Sequence, residues 1–400
     1  MNRIAIINTV SNGSTGKIAN AMNRFFTNQG YYSVLCYGYG DKPEFGNSYK
    51  INTTLEHYIH ALKARIFGTE GQNSTYATKR LVSYLEQDEI NVVYAISLHG
   101  YYLNRKVLFD YLIKKNMKVI YLMIDENAYV GKCGYANDCK NYLNGCGHCP
   151  NLGEYPKSLF FDKTANIFKE KQNAYDEMKN IVFVGPKFVV EKASMSPLLK
   201  DKRTFVLDEA IDVELFKPYN ASDLRKALGI AEDKTIILCV APFSYERKGV
   251  KYYIQLAKRF INEKKYVFVH VGFNGDKSIC PPNYIPIDFV KDQYLLAQYY
   301  SMADLFVFPS LLDTMPNACL ESLACGTPIL CFNISGMPYI ANDDVGTFVE
   351  PRNVDELERV ILNTSKKSHK IISTCREYAL KRYDNRNYNR VLLKLMKEGE

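Results

Sequence analysis

The chain has 400 residues, 47% of them apolar and 24% charged, which excludes a disordered or fibrous protein. No apolar run reaches the ~18–20 residues of a membrane span. Net charge is +8 but uneven: residues 1–200 hold 24 Lys+Arg against 17 Asp+Glu, and the remainder 27 against 26.

In chain order, Arg3–Val10 reads as a strand, Lys17–Thr27 as a helix and Tyr32–Tyr37 as a strand. A helix is expected at Thr75–Gln87, a strand at Asn91–Ser97, a helix at Lys106–Lys115 and a strand at Lys118–Met123. Two more strands, Ile181–Val184 and Thr204–Leu207, precede a polar stretch, Lys217–Asp223. The alternation then restarts with strand Thr235–Ala241, helix Val250–Asn262 and strand Tyr266–Val271. It continues with helix Gln293–Ser301, strand Leu305–Pro309, helix Pro316–Ala324 and strand Pro328–Phe332, then helices at Val354–Asn363 and Lys370–Leu380. Strand–helix alternation twice over predicts an α/β chain of two doubly wound, mostly parallel sheets. The domains are placed at 1–215 and 216–380, with a closing helix in 381–400 packed back on the first. Met1–Val10 lacks a signal peptide's cleavage site, so a cytoplasmic protein is expected.

Ligands of such sheets sit beyond the carboxyl ends of the strands. With two domains face to face, the site is expected in the cleft between them, lined by loops 11–16, 97–102, 124–128, 242–249 and 310–316. In the first loop, Gly13, Ser14, Thr15 and Gly16 are small enough to bring backbone amides to an anion. A capped tight turn explains them equally well. Arg247 and Lys248, followed by Gly249, suit a diphosphate: Arg forks two oxygens and Lys adds a mobile point charge. A solvated turn is the alternative. Glu321 is expected on a helix that begins at Thr314 or Met315, on a face of small residues. There a carboxylate needs donors, whether a ribose diol or a buried cation. Asp313 precedes that helix in the loop.

Together these residues resemble the retaining nucleotide-sugar glycosyltransferases of the GT-B fold, family 4. Tyr300–Pro338 resembles the family's carboxylate-x7-Glu segment, with Asp313 and Glu321 eight apart and Asp in place of the usual Glu. Arg247-Lys248-Gly249 resembles its phosphate-binding segment. Asn8–Ile18, and the run from His99-Gly100-Tyr101-Tyr102 to Asp212–Pro218, resemble a subgroup of colanic-acid type associated with exopolysaccharide assembly. By that resemblance Glu321 holds the donor's ribose, and Arg247 and Lys248 its diphosphate, with amides of Gly13–Gly16. Asp313, with the backbone of Thr314, Met315, Pro316 and Asn317, holds the transferred sugar. The resemblance implies no catalytic metal, a nucleoside-diphosphate sugar as donor, and a growing, lipid-linked glycan as acceptor at the inner face of a bacterial membrane. The basic first half suits an anionic membrane surface, or is ordinary solvated surface. Nucleic acid is not expected, since no Lys/Arg stripe or binding motif accompanies the charge.

The subgroup commonly carries His-x-His near 94 and 96 and His-Asp near 124. Here stand Tyr94, Ile96 and Ile124-Asp125. Asp125 and His99 remain as polar groups at those strand ends, His99 either touching sugar or packed in its loop, Asp125 a site residue or a turn cap. Two further readings stand beside the transferase: a sugar-nucleotide-binding partner of another transferase, and a nucleotide-sugar epimerase.

Cys133, Cys139, Cys146 and Cys149 cluster in an insertion, about 126–156, that is poor in aliphatic residues. A structural zinc held by four thiolates is expected to staple it, with Cys146 and Cys149 as a knuckle. Packed reduced thiols are the alternative, and a cytosolic setting disfavours disulfides.

Overall fold

The computed structural model describes residues 2–398. It divides into two compact units, after Leu207 and again after Tyr388. In the first unit the elements are β1 (Arg3–Val10), α1 (Gly13–Asn28), β2 (Tyr32–Tyr39), β3 (Asn47–Lys50), α2 (Thr54–Phe67), α3 (Thr75–Gln87) and β4 (Val92–Ala95). They continue with α4 (Arg105–Lys114), β5 (Lys118–Leu122), α5 (Thr164–Glu177), β6 (Ile181–Gly185), α6 (Lys187–Ser194) and β7 (Thr204–Val206). All seven strands are parallel, in the order β3-β2-β1-β4-β5-β6-β7.

The second unit holds α7 (Ser222–Ala227), β8 (Thr235–Val240), α8 (Val250–Arg259), β9 (Tyr266–Val271), β10 (Tyr284–Ile287), α9 (Gln293–Met302) and β11 (Leu305–Phe308). It goes on with α10 (Asn317–Ala324), β12 (Ile329–Phe332), β13 (Gly346–Val349), α11 (Val354–Leu362) and α12 (His369–Tyr383), and α13 (Asn385–Lys397) begins in it. Its six strands are parallel too, in the order β10-β9-β8-β11-β12-β13. The inner strands are buried at nearly every position, as in β1 from Ile4 to Thr9 and in all of β11 and β12. Helices covering both faces of a parallel sheet demand such continuous apolar runs.

The division falls earlier than the expected 215, because Ile211, Val213 and Phe216 bury in the second unit's core. The closing helix starts after Asp384, whose carboxylate accepts the Arg386 amide at 2.8 Å. From Asn389 onward it belongs to the first unit, where Tyr94 Oη donates to Leu392 O at 2.9 Å. Two helix starts differ from expectation. The first helix begins at Gly13 rather than Lys17, so Gly13–Gly16 form its first turn and not a loop. Gly16 permits this: a Cβ there would lie 2.5 Å from the Ser11 carbonyl carbon. The later helix begins at Asn317, since Pro316 keeps an extended ψ of 122 and serves as its N-cap.

In each unit the strand order reverses once. The chain runs β1, β2, β3 to one side and then returns to lay β4 on the other side of β1. It likewise runs β8, β9, β10 before laying β11 beside β8. Such a reversal opens a crevice between the diverging loops at the strand ends, where ligands of these sheets bind.

Candidate functional site

The second unit's crevice lies between the loops that follow β8 and β11. The backbones of the two loops almost touch. Gly249 sits at φ 67, and a Cβ there would stand 1.8 Å from Pro309 O, so only glycine fits. Arg247 O accepts the Leu311 amide at 2.8 Å and lies 3.1 Å from the Ser310 hydroxyl. This stitching brings three charged side chains together. Lys248 Nζ donates to Asp313 Oδ2 at 2.8 Å, Arg247 Nη1 lies 3.3 Å from the same oxygen, and Ser310 Oγ donates to it at 3.0 Å. Asp313 is 7% exposed, so its charge needs those donors. Arg247 is anchored again at Leu312 O, 2.9 Å away, while its side chain stays 37% exposed. Lys248 lies over the Phe308 ring, 4.9 Å from its centroid. The cluster therefore offers a preorganised pair of cations, one of them with accessible surface, beside a single neutralising carboxylate.

The loop after β12 closes in on the same segment. Gly336 N donates to Asp313 O at 3.1 Å, and a Cβ on Gly336 would fall 1.7 Å from Thr314 O. Thr314 and Met315 are buried, and the Met315 sulfur accepts the Glu209 amide at 3.3 Å. The Met315 side chain is thus occupied inside the unit. Asn317, the first residue of α10, buries its Oδ1 without a partner, which leaves an acceptor ready for a ligand donor. Glu321 is anchored separately: its Oε2 accepts the hydroxyl of Tyr300, on α9, at 2.9 Å. Burial and the Glu321 charge push the Tyr300 phenol well up, so Tyr300 stays a donor. A neutral hydroxyl thus meets one oxygen of Glu321, for which the sequence left a ribose diol and a buried cation as alternatives.

The first unit's crevice is chemically different. Gly13 and Ser14 are exposed at the start of α1, while Thr15 Oγ1 accepts Asn8 Nδ2 at 3.2 Å. After β4, the Thr9 hydroxyl donates to His99 O at 2.5 Å and lies 3.0 Å from Ser97 Oγ. His99 and Asp125, expected singly, meet: His99 Nε2 lies 2.7 Å from Asp125 Oδ2. Asp125 also caps the turn that follows it, since its Oδ1 accepts the Asn127 amide at 2.9 Å. With the carboxylate at Nε2, His99 Nδ1 is buried without a protein partner, facing the position of an incoming hydroxyl in hydrogen-bonding terms only. Beneath this dyad lies a buried ion pair that sequence reasoning missed. Arg105 Nη1 donates to Glu70 Oε2 at 2.5 Å and to Leu98 O at 3.3 Å, and Glu70 accepts the Gly100 amide at 3.3 Å. Burial alone would raise the Glu70 carboxyl, but Arg105 holds it below its ordinary range. Tyr94, at a position expected for a site histidine, is fully buried and bound to Leu392 O.

The cysteine segment is ordered in a way the sequence did not suggest. Lys132 Nζ donates to the carbonyls of Leu152, Glu154 and Pro156 at 3.0, 3.0 and 2.7 Å, and Lys171 Nζ to those of Asn127 and Gly131 at 2.6 and 2.8 Å. Both lysines are buried, so two ammonium groups gather backbone that no aliphatic core could hold. Cys133, Cys139, Cys146 and Cys149 line one cavity of about 20 Å³, and all four are free thiols. Among the described residues, no three His, Cys, Asp or Glu side chains already form a metal-holding group.

Residues 220–382 match the family model of the glycosyl transferases group 1. The chain is 23% identical over 267 residues to a putative colanic acid biosynthesis glycosyl transferase, WcaC, of Escherichia coli, covering 65% of this chain and 64% of that one. It is 28% identical over 173 residues to an Escherichia coli UDP-Gal:alpha-D-GlcNAc-diphosphoundecaprenol alpha-1,3-galactosyltransferase, covering 40% and 44%. The chain thus spans less than two thirds of the length of these curated relatives. The structure of Anabaena HepE in complex with UDP and glucose superposes with a TM-score of 0.67 at 13% identity, covering 100% of both chains. Among the described residues no helix is long and apolar enough to cross a membrane. The second unit belongs to the glycosyl transferases group 1 family, and the chain as a whole carries the GT-B fold.

Proposed function

We propose that the chain is a retaining glycosyltransferase that moves a sugar from a nucleoside-diphosphate sugar to a growing, lipid-linked glycan. One observation carries the reading: Arg247 and Lys248 converge with Asp313 at the second unit's strand reversal. There the two cations would hold the donor's diphosphate, Glu321 the ribose hydroxyls and Asp313 the sugar. In the reaction the acceptor oxygen bonds to the anomeric carbon as the bond from that carbon to the β-phosphate oxygen breaks. The acceptor's proton passes to the departing phosphate, whose charge Arg247 and Lys248 stabilise in place of a metal. The His99–Asp125 dyad of the first unit would accept a sugar or acceptor hydroxyl at Nδ1. The relatives named for UDP-galactose and for a complex with UDP favour a UDP-sugar donor, and those named for colanic acid and a diphosphoundecaprenol acceptor favour a lipid-linked glycan.

A thermal-shift panel of nucleotide sugars tests the donor, followed by NMR of the product's anomeric centre with a polyprenyl-diphosphate sugar as acceptor. Stabilisation by one nucleotide sugar, and transfer with retention that EDTA leaves intact, is the expected result. Tight donor binding without turnover would instead support a binding partner of another transferase. The burial of Tyr94 and Ile96 where site histidines were expected motivates that second reading. Epimerised sugar without acceptor would support an epimerase.

For the four cysteines we propose a structural zinc, supported by their sharing one cavity. About one zinc per chain by elemental analysis is expected, whereas four titratable thiols and no metal would remove the proposal.

A further inference from the structure

The cations proposed to hold the donor's diphosphate already hold an anion of the chain itself. Lys248 Nζ, Arg247 Nη1 and Ser310 Oγ all meet one atom, Asp313 Oδ2, at 2.8, 3.3 and 3.0 Å. Only 15% of the Lys248 side chain and 9% of that of Asp313 are exposed, so water screens their attraction weakly. The neighbouring acids are engaged elsewhere. Glu246 is 91% exposed and lies 3.8 Å from Lys251, and Glu321 accepts the Tyr300 hydroxyl. Asp313 is therefore the counter-ion of this cation pair.

A phosphate oxygen and Asp313 Oδ2 are the same kind of acceptor, anionic and met by charge-assisted bonds from Lys and Arg. A diphosphate at Arg247 and Lys248 thus competes with Asp313 for the donors that the acid engages. The loops themselves are fixed without the carboxylate. Arg247 O accepts the Leu311 amide at 2.8 Å, Asp313 O accepts the Gly336 amide at 3.1 Å, and Arg247 Nη1 donates to Leu312 O at 2.9 Å. Asp313 also carries the sugar-holding role that the family resemblance implies. An acid held by two cations is poorly placed for that role, and a diphosphate that takes the cations releases it.

We propose that Asp313 is an internal counter-ion that gates the donor site, neutralising Arg247 and Lys248 until a diphosphate displaces it. The proposal rests on the reading of these cations as the diphosphate site. It adds that Asp313 opposes diphosphate binding, so that the acid is freed for the sugar only when the diphosphate is in place.

Calorimetry of UDP, inorganic pyrophosphate and uridine against the parent chain, Asp313→Asn and Arg247→Ala/Lys248→Ala tests it. The Asn side chain keeps the size of the acid and removes its charge. UDP and pyrophosphate should bind Asp313→Asn about tenfold more tightly than the parent, with uridine unchanged. A merely structural role for Asp313 would weaken binding instead. Melting curves give a second readout that tolerates a less stable variant. Without ligand Asp313→Asn should melt below the parent, since Lys248 loses its partner, and pyrophosphate should raise its melting temperature by more than the parent's. UDP that binds the parent but binds Asp313→Asn equally or more weakly overturns the counter-ion and leaves the diphosphate site standing. So does pyrophosphate that shifts both melting curves alike. UDP that binds neither chain, or binds undiminished after Arg247→Ala/Lys248→Ala, overturns the site and the counter-ion together.

Discussion

The two units reverse their strand order in the same way yet fill the resulting crevices with opposite chemistry. In the second, loops after β8 and β11 bring Arg247 and Lys248 onto Asp313. In the first, the buried polar groups of Asn8, Thr9 and Ser97 and the half-buried Thr15 gather at the strand ends, beside the His99–Asp125 dyad. Asp125 brings one carboxylate to this opening, while the Glu70–Arg105 ion pair lies underneath and is buried. Topology therefore decides where a ligand goes, and side chains decide which. Concentrated cations suit a diphosphate, which brings its own compensating charge. A lining of hydroxyls with one imidazole–carboxylate pair suits sugar hydroxyls.

The largest effect expected on this contrast is structural. Arg105→Ala would leave the Glu70 carboxyl unpaired in the interior, destabilising the chain by about 3–5 kcal/mol. Chemical denaturation reads this, and nucleotide binding by the second unit should survive where the variant remains folded. If His99 contacts a reacting hydroxyl, His99→Gln should slow transfer roughly a hundredfold and leave nucleotide affinity intact. Equal loss of both would merge the two crevices into one function. Glu321→Ala should weaken the donor nucleotide by about 2 kcal/mol, with 2′-deoxy and 3′-deoxy donors losing less further affinity than they do on the parent chain. Unchanged affinity on calorimetry would take the ribose from Glu321.

A smaller effect separates the units by acid. Burial pushes the His60 imidazole, in the first unit, and His270, in the second, down to about 4. Both are neutral when folded and titrate near 6.5 when unfolded, so their stability contribution is full above 6.5 and drains away as pH falls toward 4. Each should cost about 1 kcal/mol by roughly pH 5.5. His270 bonds Tyr284 Oη at 2.6 Å and Ala241 O at 2.8 Å. His270→Gln should flatten the melting-temperature slope of the second unit alone.

Strands and helices with long, regular patterns were legible from the residues, as were both domains and the segments that carry the cation–acid cluster. The omissions have physical causes. Strands β10 and β13 are four-residue edges, and β3 is another, too short to show a period. Helix α2 escaped because its solvent face is apolar, which blurs the expected contrast, although Thr53-x-x-Glu56 announced its start. The inward turn of the Met315 side chain, whose sulfur is used by Glu209 across 106 residues of chain, was not legible, and it leaves the expected role of the loop's backbone untouched. The His99–Asp125 dyad spans 26 residues and the Lys171–Asn127 contact 44, separations that no local pattern encodes. The loop's order rests on such contacts, so inferring it from aliphatic content alone failed.

The account turns on whether Arg247 and Lys248 grip a diphosphate. Calorimetry of UDP and of uridine against the parent chain and against Arg247→Ala/Lys248→Ala tests this directly. A loss of at least about a hundredfold for UDP with uridine unchanged is the predicted result. Equal weakening of both ligands, or UDP binding that survives the double substitution, would contradict it.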